Sequence, residues 1–298
     1  MTGDGAPGAP HAWPRPRAAL AVLVASICFA TSSPLARVAA PAHPLLIAAG
    51  RTAVASCLLL AASPRVTARA VGRASRRQIL GVLGAGALLA AHFACFLWGL
   101  SLTSLPSAVT LVSLEPVAVV LTAWAAFGSR PRPGEAAGVL LATLGAVVVA
   151  RGAGSGSHHL LGDGLVLLAV GLYGLYLGAA RALSQALPPG AYAALVYGSA
   201  TVVLGLACLG AGASLSLPRG SYLAILALGI IPTLGGHTLV QWAARHVPAS
   251  VVALVSPGET LGSLVLAAAL LGEVPSATEG VGALLALSGV AVTLASPR

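Results

Sequence analysis

Apolar residues run through this chain in long stretches, each closed by Pro, Gly or Arg, with no broad charged face at helical spacing. A helix needs about 20 such residues to cross roughly 30 Å of hydrocarbon. Ten runs of that kind predict spans near 18–39, 44–62, 79–101, 105–127, 134–150, 163–183, 191–212, 221–243, 249–271 and 276–296. The short apolar and polar alternation of an outer-membrane barrel is missing, so the expected fold class is an all-α integral membrane protein.

The chain also matches itself. Shifted by 144 residues without a gap, Arg37 falls on Arg181, Pro44 on Pro188, Trp98 on Trp242 and Glu115 on Glu259. The match continues with Gly128 on Gly272, Pro131 on Pro275, Glu135 on Glu279, Gly138 on Gly282 and Gly145 on Gly289. These types are scarcer here than Ala, Leu and Val, so chance does not easily supply them. Five spans per copy is an odd number, which makes the second copy enter the membrane from the opposite side, giving two inverted five-helix repeats. The predicted organisation is a disordered cytoplasmic segment 1–17, a first repeat 18–151, a linker 152–162 and a second repeat 163–298. Arg15 and Arg17 precede an apolar run as in a signal peptide. Cleavage there would remove one helix of a matched pair, so the first span is expected to be retained.

Composition narrows the class further. With 57% apolar and 8% charged residues and a mean hydropathy of +0.94, a soluble domain could not hide its apolar surface. The net charge of +9 comes from 16 basic residues, all arginine, and they punctuate the spans instead of forming the basic stripe of a nucleic-acid binder. With the N-terminus inside, inner segments hold Arg15, Arg17, Arg65, Arg69, Arg73, Arg76, Arg77, Arg130, Arg132, Arg181, Arg245 and Arg298, and outer segments hold Arg37, Arg151 and Arg219. That bias predicts a multi-pass protein of the inner (plasma) membrane with both termini cytoplasmic.

Little points to a cofactor. Cys28, Cys57, Cys95 and Cys208 lie in apolar runs without metal-ligand spacing and read as packing residues. His158 and His159 end the stretch GAGSGSHH, which reads as a solvated linker more readily than as a metal site. Without a single lysine the chain has no nucleotide-binding P-loop, and no HExxH or nucleophile pattern suggests an enzyme. The expected partners are a lipid bilayer and a small-molecule substrate, with no nucleic acid, no metal and no cofactor.

The residues most able to carry chemistry are Glu115 and Glu259, each near the centre of an apolar span. An ionised carboxylate there costs on the order of 2.5–3.5 kcal/mol. Losing water favours the neutral form, so each can exchange a proton when water or a cation arrives. Pro116 and Pro257 stand beside them and free a backbone carbonyl, as in the broken helices of midplane binding sites. The competing account makes them neutral acids hydrogen-bonded to that backbone or to Ser113 and Ser256. Arg51 within the second span either meets an anionic group or Glu115, or snorkels to headgroups. His92 and His237 either line a polar cavity with Gln241 or are satisfied core imidazoles. Trp98, Trp242, Tyr173 and Tyr176 either stack on substrate or anchor the membrane interface, the latter favoured for the tryptophans.

Three segments carry a likeness to a known family: SAVTLVSLEPVAVVLTAWAAFGSRPRPGEAAGVLLATLG from Ser107, SVVALVSPGETLGSLVLAAALLGEVPSATEGVGALLALSG from Ser250, and GDGLVLLAVGLYGLYLGAARAL from Gly162. Together with Arg51 in the second helix, they resemble EamA-type members of the drug/metabolite transporter superfamily. The resemblance implies ten helices in two five-helix units and a secondary active transporter working by alternating access. It implies export of amino acids, related metabolites or drugs, with proton coupling as an expectation. A channel or lipid-translocating protein is the alternative. The pattern departs at Ser129 and Arg130, where the acidic end of LGE is replaced, and at Pro257, which precedes its glutamate; Glu273 therefore has no counterpart in the first repeat.

Overall fold

The computed structural model describes residues 16–128, 130–151, 159–183, 187–243 and 255–295, and these contain no strand. Predictions that fall on 1–15, 129, 152–158, 184–186, 244–254 and 296–298 lie outside the described residues.

The first repeat comprises α1 (Pro16–Ala30), α2 (Ser32–Val38), α3 (Pro44–Ala62), α4 (Pro64–Arg73), α5 (Arg76–Leu102), α6 (Leu105–Val112), α7 (Glu115–Phe127) and α8 (Pro133–Ala150). The second comprises α9 (Leu160–Leu183), α10 (Pro189–Gly210), α11 (Arg219–Leu228), α12 (Thr238–Ala243), α13 (Val255–Leu266) and α14 (Ala277–Ala295). Proline opens α3, α4, α8 and α10, where its missing N–H is no loss.

Among the described residues eight stretches are long and apolar enough to cross a membrane: Leu20–Val38, Pro44–Ala62, Arg76–Leu102, Leu105–Thr122, Leu160–Ala179, Pro189–Gly210, Arg219–Ala243 and Ala277–Ala295. The fifth and ninth predicted spans correspond to shorter apolar helices, Pro133–Val149 and Val255–Leu271. Leu140, Leu206, Leu209 and Leu284 are exposed along these helices, as a lipid-facing surface requires.

Several predicted spans are interrupted. The first breaks at Thr31, and the fourth at Ser113–Leu114, directly before the helix restarts at Glu115. A π-helical segment, Gly229–His237, surrounds Pro232 between α11 and α12, and another, Ala267–Leu271, continues α13. One helix was not foreseen: α4 buries Thr67 and Ala70 and exposes Arg65, Arg69 and Arg73, a short amphipathic element suited to a headgroup layer. Helix also reaches beyond two predicted boundaries, with Pro16 and Arg17 in α1 and residues 160–162 in α9.

The repeat is visible in backbone detail. Gly128 and Gly272, one register apart, both have φ of +68°, a conformation that costs an ordinary residue about 1–2 kcal/mol. Glu135 accepts the Arg132 amide and Glu279 the Ser276 amide, each at 2.8 Å, so equivalent glutamates cap equivalent helices. Helices α8 and α14 cross antiparallel, Gly138 facing Gly289 and Gly145 facing Gly282 so closely that a Cβ would strike backbone. The register exchanges those two contacts, as an inverted pair demands.

Candidate functional site

Six elements, one of them π-helical and one following a helix break, converge on one cavity. Arg51 comes from α3, His92 from α5, Glu115 from the start of α7, Tyr173 from α9, His237 from the end of the first π-helical segment and Glu259 from α13. They line one small cavity of about 30 Å³ with Ser32 and an apolar wall that includes Phe29, Phe93 and Phe96. That volume holds water but no metabolite, since small-molecule sites enclose roughly 300–1,000 Å³.

The interrupted helices explain the convergence. Glu115 stands at the first residue of α7, directly after the break at Ser113–Leu114, and faces the cavity. His237 closes the π-helical segment, whose wider turn shifts the residues that follow it.

Arg51 is 1% exposed, which rules out snorkelling to headgroups. Its Nε donates to Thr233 Oγ1 at 2.8 Å and one terminal nitrogen donates to Ser32 Oγ at 3.2 Å. The guanidinium lies 4.2 Å from the Phe93 ring centroid, a stacked cation–π contact. Thr233 in turn donates to the carbonyl of Leu228, the last residue of α11, at 2.7 Å.

Glu115 and Glu259 have no hydrogen-bond or ion-pair partner among the described residues. The serines expected to hold them are engaged elsewhere: Ser113 Oγ donates to Thr110 O at 2.6 Å and Ser256 Oγ to Val112 O at 3.2 Å. Glu259 is buried and Glu115 half-buried, and both face the cavity.

The two imidazoles differ. His92 Nδ1 is 2.9 Å from the Ala169 carbonyl, so it carries the proton there and leaves Nε2 as the free ring nitrogen. His237 is packed edge-on by Phe29 and Phe93, with centroids 4.7 and 5.5 Å away.

Gln241 and Tyr176 lie one layer away. Gln241 Nε2 donates to Tyr176 Oη at 3.0 Å, and the Tyr176 ring is 6.0 Å from that of Tyr173. The tryptophans do not reach the cavity. Trp98 is 43% exposed in a T-shaped contact with His43, and Trp242 packs half-buried against the apolar cluster of α1 and α13.

A second polar cluster was absent from the predicted site. At one end of the bundle Arg37 Nε lies 3.3 Å from Glu273 Oε1, and Glu273 Oε2 accepts the Leu105 amide at 3.2 Å. Asp163 accepts from Thr103 and Ser107, both at 2.7 Å, and Ser104 Oγ donates to Glu279. The clue in the sequence was the rarity of acidic residues: Asp163, Glu273 and Glu279 are three of only seven.

Comparison with known proteins bears on the whole chain. Residues 16–151 and 160–295 each match the model of the EamA-like transporter family. No curated protein matches. A solved structure described as "Crystal structure of protein" is 22% identical, aligns over 93% of this chain and 96% of its own, and has a TM-score of 0.65, which is a likeness of fold.

Proposed function

The chain belongs to the EamA-like transporter family, and on that premise we propose that it is a secondary active exporter of small metabolites or drugs, coupled to protons through Glu115 and Glu259. All ten apolar helices cross the inner membrane in two inverted units, with both termini in the cytoplasm, and the central cavity opens to each side in turn. The observation that carries this reading is the meeting of two register-equivalent carboxylates, from opposite repeats, in one cavity where neither has a hydrogen-bond or ion-pair partner among the described residues. A group that costs so much in hydrocarbon is retained where a proton or a substrate can compensate it.

The inverted repeat supports alternation, because each half can adopt the conformation of the other and so exchange the open end. The half-helix break at Ser113–Leu114 and the π-helical segment at Gly229–His237 supply deformable backbone beside the site. Arg51 anchors the layer, tying α3 to α2 and to the π-helical segment while balancing one negative charge.

The test is reconstitution in liposomes loaded with a pH-sensitive dye, challenged with pools of amino acids and organic cations. Proton movement that depends on a pool and disappears in Glu115→Gln or Glu259→Gln is the expected result. Unchanged movement in both variants makes the glutamates structural. Flux without saturation or counter-flow stimulation makes the protein a channel.

A further inference from the structure

The lining of the central cavity has an unequal charge account. Among the described residues it contains two carboxylates, Glu115 and Glu259, and one permanent cation, Arg51. The other titratable side chains facing it are His92, Tyr173 and His237, and Tyr176 and Tyr197 stand behind with Gln241. With the imidazoles and phenols neutral, the lining carries one negative charge too many. In a site of such low polarity that excess has to be cancelled, either by one proton on the glutamate pair or by one positive charge on a bound molecule.

The walls favour a particular bearer of that charge. Phe29, Phe96 and Tyr173 line the same cavity as the carboxylates, and Arg51 already occupies a face of Phe93. Aromatic faces beside a carboxylate bind alkylammonium groups by combining ion pairing with cation–π attraction. Arg51 meanwhile has two of its nitrogens committed to Thr233 and Ser32, so it is poorly placed to clamp a carboxylate in the two-pronged manner. An anion would also meet Glu115 and Glu259.

We infer that the cargo is an organic monocation, an ammonium carried on a flat apolar body, which replaces the single proton held by Glu115 and Glu259. This rests on the carrier reading above and names its substrate class. The exchange balances: one positive charge enters as the ammonium, one proton leaves to water, and the net charge of the lining does not change. The 30 Å³ cavity is then the proton-loaded, closed form, and the bound cation keeps the bundle more open.

The experiment uses the purified full-length protein in weakly buffered detergent solution with a pH indicator. The probe is phenyltrimethylammonium, which has no proton of its own to release, and phenylalanine serves as the zwitterion with a similar ring. Expected are saturable binding of the cation, release of about one proton per cation bound, and an affinity that weakens by about tenfold for each unit of falling pH once the site is protonated. Phenylalanine should release none. Glu259→Asp keeps a carboxylate and should retain the release at a shifted midpoint, while Glu259→Gln removes it, so loss in the latter alone is not a folding failure. Cation binding without proton release overturns the inference, as does tighter binding of phenylalanine or no saturable cation binding at millimolar concentration. Counter-flow in proteoliposomes separates this from the carrier reading. Phenylalanine exchange without cation binding leaves a carrier and sinks the inference, whereas proton-releasing cation binding without any flux leaves the inference and sinks the carrier.

Discussion

Carboxylates at the Arg37 end of the bundle and at its centre live under opposite arrangements. Glu273 is paired with Arg37 and the Leu105 amide, Asp163 accepts two hydroxyls, and Glu279 holds both Ser104 and its own helix cap. Glu115 and Glu259, only a few helical turns away, have neither hydrogen bond nor ion pair among the described residues. Satisfied acids hold elements together, and their loss registers as stability. On the proposed reading, acids without such partners among the described residues exchange a proton or a ligand, and their loss should register as function. The contrast extends to the two ends of the repeat, since the 144-residue register puts Ser129 where Glu273 has its counterpart and Ala19 opposite Asp163. The register therefore gives these two acids no copy at the other end.

Breaking the comparison starts at the centre. Glu115→Gln or Glu259→Gln is expected to reduce coupled proton movement in liposomes by about 100-fold, close to 2.8 kcal/mol, without lowering the melting temperature in detergent. A melting temperature that falls while flux persists would make the centre resemble the Arg37 end. Asp163→Ala should do the reverse. It strands the Thr103 and Ser107 hydroxyls in a buried position and should cost about 2 kcal/mol in thermal or denaturant unfolding. Gly272→Ala, at φ +68°, should cost about 1 kcal/mol by the same assay, and Gly128→Ala about as much if the repeats are equivalent there. The smallest effect belongs to Arg37→Ala. Both partners of its ion pair are partly exposed, so roughly 0.2–1 kcal/mol is expected in the same unfolding assay.

What the sequence made legible follows from rarity. A glutamate in an apolar run stands out, and the register that pairs Glu115 with Glu259 pointed to both at once. Arg51 was visible for the same reason, although whether it was buried was not. The tryptophans show the limit of that register, for Trp98 and Trp242 are equivalent in the repeat and yet neither reaches the cavity. Equivalence marks a place in the fold, and only closure of the bundle decides which side chains face inward. Thr233 and Ser32 were illegible because small hydroxyl residues are common in such helices, and Thr233 meets Arg51 from 182 residues away. The interruptions were half legible: Pro116 marked the break before Glu115, whereas the π-helical turns around Pro232 and after Leu266 depend on how neighbouring helices pack. The α4 helix was missed because its arginines, spaced four apart, read first as an inner loop.

The most direct test of the shared site is a double-variant cycle on proton-coupled flux, comparing Glu115→Gln, Glu259→Gln and the pair in the same proteoliposomes. If the two carboxylates act as one unit that holds a single exchangeable charge, each single change removes nearly all coupled flux and the double is no worse than either. Losses that multiply in the double variant, or a single variant that keeps its coupling, would mean two separate sites and contradict the account.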